Sequence, residues 1–222
     1  MRPRLLDLFC CAGGAGVGYA RAGFDVVGVD LANQPRYPFE FHRGDALEYL
    51  REHGREFDAV HASPPCQHYS KAVAIEARKG HPDLVGPARE ALRELGIPYV
   101  IENVVGAPLL DAFQLCGSSF GLPVRRHRRF EASFFVMVPT CRHEAFPPVF
   151  PPSWNRTTPM RVLSISGGYQ RGITLEQYKA ATGVDWDVTG RELSECIPPA
   201  FTEYIGGYLL NELVTAAAGV AA

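Results

Sequence analysis

A β-strand cannot run through Pro64-Pro65, and that break constrains this chain more than any other feature of its sequence. Proline lacks the N–H that a sheet ladder needs, so the apolar run Glu56-Phe57-Asp58-Ala59-Val60-His61 must end there. Behind the prolines stands Cys66, followed by Gln67-His68-Tyr69-Ser70. Open α/β sheets place their ligands outside the carboxyl ends of the strands. A thiol fixed at such an end is positioned as a nucleophile, because thiolate is the strongest nucleophile among the common side chains. Taken alone, a cysteine in a turn is more often a small buried core residue, so the rest of the chain has to decide.

Strand and helix signals alternate before and after this break. Arg4 to Phe9 reads as a first strand, followed by Gly13, Gly14, Gly16 and Gly18 and a helix to Ala22. Asp25 to Val29 is a second strand ending at Asp30, and Gly44-Asp45 leads a helix through Arg51. Past the prolines comes a polar stretch with Lys71, Arg78 and Lys79, then a helix from Asp83 to Leu95 closed by Gly96. Pro98 to Ile101 is a further strand, running into Glu102-Asn103. The alternation predicts an α/β fold with a Rossmann-like, mostly parallel sheet and helices on both faces. After Phe130 the texture changes. Glu131 to Val138 reads as a strand, and Pro147, Pro148, Pro151, Pro152 and Pro159 then mark irregular chain set with Phe146, Phe150 and Trp154. Thr174-Leu175-Glu176-Gln177 has capping-box spacing and predicts a helix stopped by Gly183, while Pro198-Pro199 opens a last helix to Val214.

Bulk properties narrow the function classes. With 222 residues, 46% of them hydrophobic, the chain suffices for one well-packed domain with at most a small appendage. A formal net charge of -2 excludes a basic nucleic-acid coat, so any nucleic-acid contact must come from a local patch. No stretch approaches bilayer-spanning length, and the first apolar run lacks the polar spacer and cleavage site of a leader, so a cytoplasmic protein with no membrane partner is expected. Six scattered cysteines, two of them adjacent, suit a reducing compartment better than a disulfide framework. Cys141-Arg142-His143 offers two metal ligands, but no second pair is evident in the sequence, and no metal is expected. Basic charge is mostly arginine; GC-rich coding accounts for that bias, although arginine also suits bidentate phosphate or base contacts.

Three further sites carry chemistry. Asp7-Leu8-Phe9-Cys10-Cys11-Ala12-Gly13-Gly14-Ala15-Gly16 is a strand, a tight turn and a helix start, which lets backbone approach a ligand. Alone it is also compatible with a plain structural turn. Asp30, at the end of the second strand, could accept from ribose hydroxyls, and the absence of a Lys-Ser/Thr pair argues against a triphosphate loop. Glu102, at a strand end, could act as an acid or hydrogen-bond partner, since burial would raise its pKa. Arg125-Arg126-His127-Arg128-Arg129 is the densest charge in the chain, either a phosphate or base clamp or a solvated basic turn.

In this order the pieces resemble the DNA cytosine-5 methyltransferase family, in a compact form with a very short target-recognition region. Asp7-Leu8-Phe9 with Gly13-Gly14 and Gly18 is similar to its cofactor loop; Pro64-Pro65-Cys66-Gln67-His68-Tyr69-Ser70 to its nucleophile motif; and Glu102-Asn103-Val104 to its Glu-Asn-Val motif. Gly121 to Arg128, Thr174 to Val184 and Ile197-Pro198-Pro199 resemble the later motifs, so the likeness covers nearly the whole chain. It implies methyl transfer from S-adenosyl-L-methionine, leaving S-adenosyl-L-homocysteine, to C5 of a flipped-out cytosine through a covalent bond from Cys66 to C6. Cys66, Glu102, Arg126 and Arg128 would be catalytic: Glu102 at N3, Arg128 at O2, Arg126 supporting the pocket. The cofactor would lie against Asp7, Phe9, Cys11, Ala12, Gly13, Gly14, Gly16, Asp30, Asp45, Pro64 and Cys196, and the base against Pro65, Gln67, Ser70 and Asn103. The implied organisation is a catalytic and cofactor-binding core over 1–135, a target-recognition segment over 136–173, and C-terminal motifs over 174–222 that pack back on the core.

Four positions depart from the family pattern. Cys11 stands where glycine is usual, Gly28 where a ribose-binding Glu is more usual (leaving Asp30 as its substitute), Val124 where Gln is usual, and Ser194-Glu195-Cys196 where Gly-Asn-small is usual. The short region between Phe130 and Thr174 implies a short or relaxed recognition sequence, read by contacts from Arg142 to Arg161, and such compact forms suit phage or restriction-modification systems. Double-stranded DNA is the expected partner of a monomer. Methylation of tRNA cytosine, a non-catalytic DNA- or cofactor-binding relative, and transfer of a different group from an altered cofactor remain alternatives.

Overall fold

The structure, a computed structural model, describes residues 2–70, 74–152, 157–165 and 172–220. Trp154 and Lys71 lie outside them. In chain order the elements are β1 (Arg4–Leu8), α1 (Gly14–Ala22), β2 (Asp25–Asp30), β3 (Glu40–Arg43), α2 (Ala46–His53), β4 (Ala59–Ala62), α3 (Ile75–Arg78), α4 (Val85–Leu95) and β5 (Tyr99–Asn103). They continue with β6 (Phe113–Leu115), β7 (Val124–Arg125), β8 (Arg128–Ala132), β9 (Leu163–Ser164), α5 (Leu175–Thr182), α6 (Gly190–Glu195) and α7 (Pro199–Val220).

The main sheet runs β3-β2-β1-β4-β5-β8-β6. Its first five strands are parallel, and β8 lies antiparallel to both neighbours. Side-chain alternation explains how both faces are covered. Leu6, Leu8, Val27, Val29, Val60 and Ile101 face one side, against Leu50 of α2 and Leu92 of α4. Leu5, Val26, Ala59, Val100 and Phe130 face the other, against Tyr19 of α1 and Phe201, Ile205 and Leu209 of α7. The Rossmann-like, mostly parallel sheet expected from the alternation is therefore the observed one. Strand order reverses beside β1, between β2 and β4, so the crevice of a doubly wound sheet falls at the carboxyl ends of β1 and β4. Those ends carry the glycine loop and Pro64-Pro65-Cys66.

The last helix folds back onto the first because Gly18 has no side chain. A Cβ there would sit 2.1 Å from both Pro199 O and Thr202 Oγ1. Thr202 Oγ1 instead donates to Ala15 O at 2.8 Å, tying the helices together. A second, smaller sheet pairs β7 with β9 in parallel. Val124, Leu163, Ile165, Tyr178, Ala181, Leu193 and Cys196 pack together there, so chain on both sides of the Pro-rich stretch shares one apolar cluster.

Several elements differ from expectation. The strand placed over Glu131 to Val138 is β8, which begins at Arg128 and ends at Ala132. Charged Arg128 and Arg129 fit within a strand because each guanidinium has a partner: Arg129 Nη2 donates to Ala112 O, and Arg128 faces Glu102. Phe135 and Met137, read as strand, are exposed. β4 starts at Ala59, after a 3-10 turn over Gly54–Glu56. The short strands β3, β6, β7 and β9 and the helix α6 were not expected, and α7 continues past Val214 to Val220.

Candidate active site

Cys66 sits in a loop braced at both ends. Tyr69 N and Ser70 N donate to Cys66 O at 3.0 and 2.9 Å, folding the chain over it. Asn103, buried at the end of β5, donates from Nδ2 to Pro64 O at 2.9 Å and accepts the Val104 N–H on Oδ1 at 2.9 Å. Further along, Tyr69 OH donates to Asp83 and His68 Nδ1 pairs with His81 O. Asn103 thus holds the Pro-Pro backbone, which is a positioning task. Gln67 is exposed, and Pro65, Cys66 and Ser70 are half-buried.

Charge converges beside this loop. Glu102 is buried, and Arg128 Nε lies 3.1 Å from its Oε1. That approach is an ion pair without hydrogen-bond geometry, so Oε1 has no hydrogen-bond partner among the described residues. Burial raises the Glu102 pKa, against the pull of Arg128 and Arg126 and a hydrogen bond from Ser63. The Cys66 thiol is raised as well, first by burial; Arg128 pulls it down and Glu102 pushes it up. Cys66, Glu102, Arg126 and Arg128 therefore form one electrostatic unit.

Sequence reading missed what stands behind Glu102. Tyr19 OH and His61 Nδ1 are 3.1 Å apart, and His61 Nε2 lies 2.9 Å from Ser63 Oγ, which reaches Glu102. Burial holds His61 neutral, its pKa lowered to about 3. With Glu102 ionised, Tyr19 donates to Nδ1, Nε2–H donates to Ser63, and Ser63 donates to the carboxylate. The signal available in sequence was His61 at the end of a strand otherwise made of small and apolar residues.

Arg126 is 2% exposed and its guanidinium holds backbone. Nη1 donates to Ile165 O at 3.2 Å, and Nη2 donates to Ser194 O at 2.7 Å and Glu195 O at 3.2 Å. The last two are terminal carbonyls of α6, so Arg126 caps that helix. Burial and the neighbouring Arg128 push its pKa down to about 9, which still leaves it charged at neutral pH.

The glycine loop lies at the neighbouring strand end. Phe9, Cys11 and Gly13 have φ of 56°, 46° and 90°. Cys11, the departure from glycine, therefore occupies a left-handed position that favours glycine. Its N–H donates to Asp30 Oδ2 at 3.0 Å, and Ala32 N donates to Asp30 Oδ1 at 2.9 Å. Gly28 cannot take the place of a ribose-binding residue: a Cβ there would meet the Tyr37 ring at 2.4 Å. Tyr37 OH in turn donates to Asp7 Oδ2 at 3.0 Å. Asp7 Oδ1 is buried with no hydrogen-bond partner among the described residues. Burial raises the Asp7 pKa to about 8. An orphaned carboxylate oxygen beside a glycine turn fits a ligand that brings a cationic or N–H group.

Other predicted residues have structural partners. Asp45 Oδ1 accepts from Leu47 N and Glu48 N as the cap of α2. Cys196 is buried against the Gly14 N–H, and a Cβ on Gly14 would strike Ile197 O at 2.6 Å. Ala12 O accepts from Trp186 Nε1 at 2.9 Å, a contact that sequence reading missed. Val124, in place of the usual Gln, is fully buried in apolar contacts.

The structure also supplies the metal-ligand pair that was not evident in sequence. Cys116 and His127 meet Cys141 and His143, and their ligand atoms all lie within 4.8 Å of one another. Cys66 is not among them.

The sequence matches no established protein-family profile. A candidate ribosomal RNA large subunit methyltransferase of Methanocaldococcus jannaschii is 35% identical over 95 residues, covering 35% of this chain and 25% of that protein. The chain thus spans a quarter of the length of this curated relative. A candidate DNA modification methyltransferase encoded in an Escherichia coli prophage has TM-score 0.66 and 18% identity, over 96% of this chain and 99% of that one. The Entamoeba histolytica methyltransferase EhMeth (TM-score 0.60) and the Schizosaccharomyces pombe Dnmt2 methyltransferase (TM-score 0.61) are each 12% identical, over 96% of this chain and 99% of theirs. The chain therefore shares its Rossmann-like fold with these methyltransferase structures. No helix among the described residues is long and apolar enough to cross a membrane.

Proposed function

We propose that the protein is a cytosine-5 methyltransferase acting on nucleic acid, with S-adenosyl-L-methionine as methyl donor and Cys66 as nucleophile. The observation that carries this reading is Cys66, Glu102 and Arg128 gathered at the strand-end crevice of a methyltransferase fold. Bound S-adenosylmethionine would supply an electrophilic methyl group. The orphaned Asp7 Oδ1 would accept from its ammonium, with Phe9 to Gly16 and Asp30 around it.

The chain's own residues do the rest. The Cys66 sulfur adds to C6 of the extruded cytosine. Glu102 meets ring N3 with Oε1, the oxygen that lacks a hydrogen bond, and its raised pKa lets it hold a proton there. Arg128 stabilises the negative charge that develops on the ring and on the thiolate. Both groups act on charge that grows along the reaction path, which is where stabilisation raises rate. Once C5 carries the methyl group, its proton passes to solvent water, the freed C–H electron pair re-forms the C5–C6 double bond, and the C6–S bond breaks to release the Cys66 thiolate. Arg126 supports the site from beneath through its backbone contacts.

Double-stranded DNA is the first substrate reading, supported by the motif order and by the likeness in fold to the prophage-encoded methyltransferase. RNA is the second, favoured by the sequence relative named for ribosomal RNA. Transfer from labelled S-adenosylmethionine to unmethylated duplex DNA, tRNA and ribosomal RNA separates them, with Cys66→Ala as control. Label at cytosine C5, lost in the variant, supports the reading and identifies the substrate. Cofactor binding with label on none of the three would overturn it in favour of a non-catalytic relative.

A further inference from the structure

We propose that Cys116, His127, Cys141 and His143 form a structural zinc site, in which Cys116 and His127 supply the second ligand pair that was not evident beside Cys141 and His143 in the sequence. Two thiols and two imidazoles are the donor set that selects zinc, which is satisfied by a closed tetrahedron of sulfur and nitrogen. Cys116 Sγ lies 3.1 Å from His143 Nε2, and Cys141 Sγ lies 3.5 Å from His127 Nε2. In a tetrahedral site with ordinary zinc bond lengths a sulfur and a nitrogen stand about 3.6 Å apart. All four ligand atoms fall within 4.8 Å of one another, so one ion can reach every one of them with small side-chain movements. With four protein ligands the site has no open position for a reacting water, which makes it structural.

The surroundings are arranged for it. Ser118 Oγ donates toward Cys116 Sγ at 3.4 Å and accepts from Arg142 N at 3.1 Å, joining two of the ligand segments through one hydroxyl. Cys116 is buried, while Cys141 is exposed, so the ion would close a site at the edge of the fold. The ligands come from three places. Cys116 follows β6, His127 lies in the turn between β7 and β8, and Cys141 and His143 belong to the chain leaving β8. That chain is tied at Met137 O, which accepts from Tyr204 OH at 2.9 Å, at Pro139 O, which accepts from Ser119 Oγ at 3.5 Å, and by buried Val136, while Phe135, Met137 and Val138 are exposed. Zinc would pin it to the core. It would also fix His127, which stands between Arg126 and Arg128. The proposal stands whether or not the methyl-transfer reading holds.

The test is metal content, thiol titration and optical spectroscopy of the full chain purified without chelator. One zinc per chain is expected. Cobalt substitution should give thiolate-to-cobalt charge transfer and the visible bands of a tetrahedral ion. Stripping the zinc should lower the melting temperature and open residues 133–150 to protease, and zinc alone should reverse both. Cys141→Ser and His143→Asn, at the more accessible ligands, should lose the metal while keeping the fold by circular dichroism; they serve if Cys116→Ser does not fold. A wild-type protein that binds no zinc even when reconstituted would overturn the proposal. So would variants that keep it, or Cys116 and Cys141 found as a disulfide.

Discussion

Replacing Arg126 by methionine removes the guanidinium but keeps much of the volume, so it isolates the role of the backbone contacts. Three donated bonds are lost, to Ile165 O, Ser194 O and Glu195 O. Hydrogen bonds from a charged group contribute about 1.5–3 kcal/mol each. The gain is offset by burial of the cation and by the repulsion of Arg128, the same two effects that lower its pKa to about 9. Breaking one side of such a buried cluster typically costs about 3–5 kcal/mol, because the partners are left unpaired. Arg126→Met should therefore destabilise by about 4 kcal/mol, or on the order of 8–16 °C in melting temperature for a chain of this size. Arg126→Lys, which can keep one contact, should recover part of the loss. The loss should also reach the glycine loop, since the chain after α6 carries Ile197 against Gly14. Urea unfolding at constant m-value, with calorimetric binding of S-adenosylmethionine, measures both effects. A loss below about 1 kcal/mol would refute the clamp, since it falls short of a single charged hydrogen bond.

Glu102→Gln removes the charge that pushes the Cys66 thiol upward, so alkylation of Cys66 by iodoacetamide at fixed pH should quicken severalfold while methyl transfer is lost; unchanged or slower alkylation would contradict the assigned electrostatics. Asp7 is raised to about 8 in the fold, so the unfolded chain loses this proton first; stability should fall as pH rises from about 4 toward 8, by up to about 1.4 kcal/mol per pH unit. Denaturation across that range should show the slope in the cofactor-free wild type and its flattening in Asp7→Asn. Gly18→Ala sets a methyl against the backbone of α7, which cannot rotate away; a loss of at least about 2–3 kcal/mol is expected on urea unfolding, and a neutral result would mean that α1 and α7 are not packed this closely.

Local grammar made the core of this fold readable. The Pro64-Pro65 break, the Gly96 and Gly183 stops and the Thr174–Gln177 capping box each act within a few residues, and each marks a boundary in the structure close to where it was expected. The same grammar carried α6, whose Thr189 and Glu192 form a capping box that could have been found from spacing alone. Other features were out of reach for physical reasons. β7 and β9 are two residues each and exist only because distant chain pairs with them. β8 was displaced because Arg128 and Arg129 look like loop until Glu102 and Ala112 are known to stand opposite. In the site, Cys66 and Glu102 were legible as strand-end residues. The carbonyls that engage Arg126, the Tyr37 ring over Gly28 and the ligand pair completing Cys141 and His143 come from remote segments, and only the folded chain brings them together.

The central claim is a covalent bond between Cys66 and cytosine C6. An oligonucleotide carrying 5-fluorocytosine tests it directly, because fluorine at C5 prevents the elimination that releases the enzyme. With S-adenosylmethionine present, the wild type should form a denaturant-stable adduct on DNA or on RNA, mapped by mass spectrometry to the peptide holding Cys66, and Cys66→Ala should form none. An adduct on another residue, or its absence on both nucleic acids from a protein that binds the cofactor, would contradict the account.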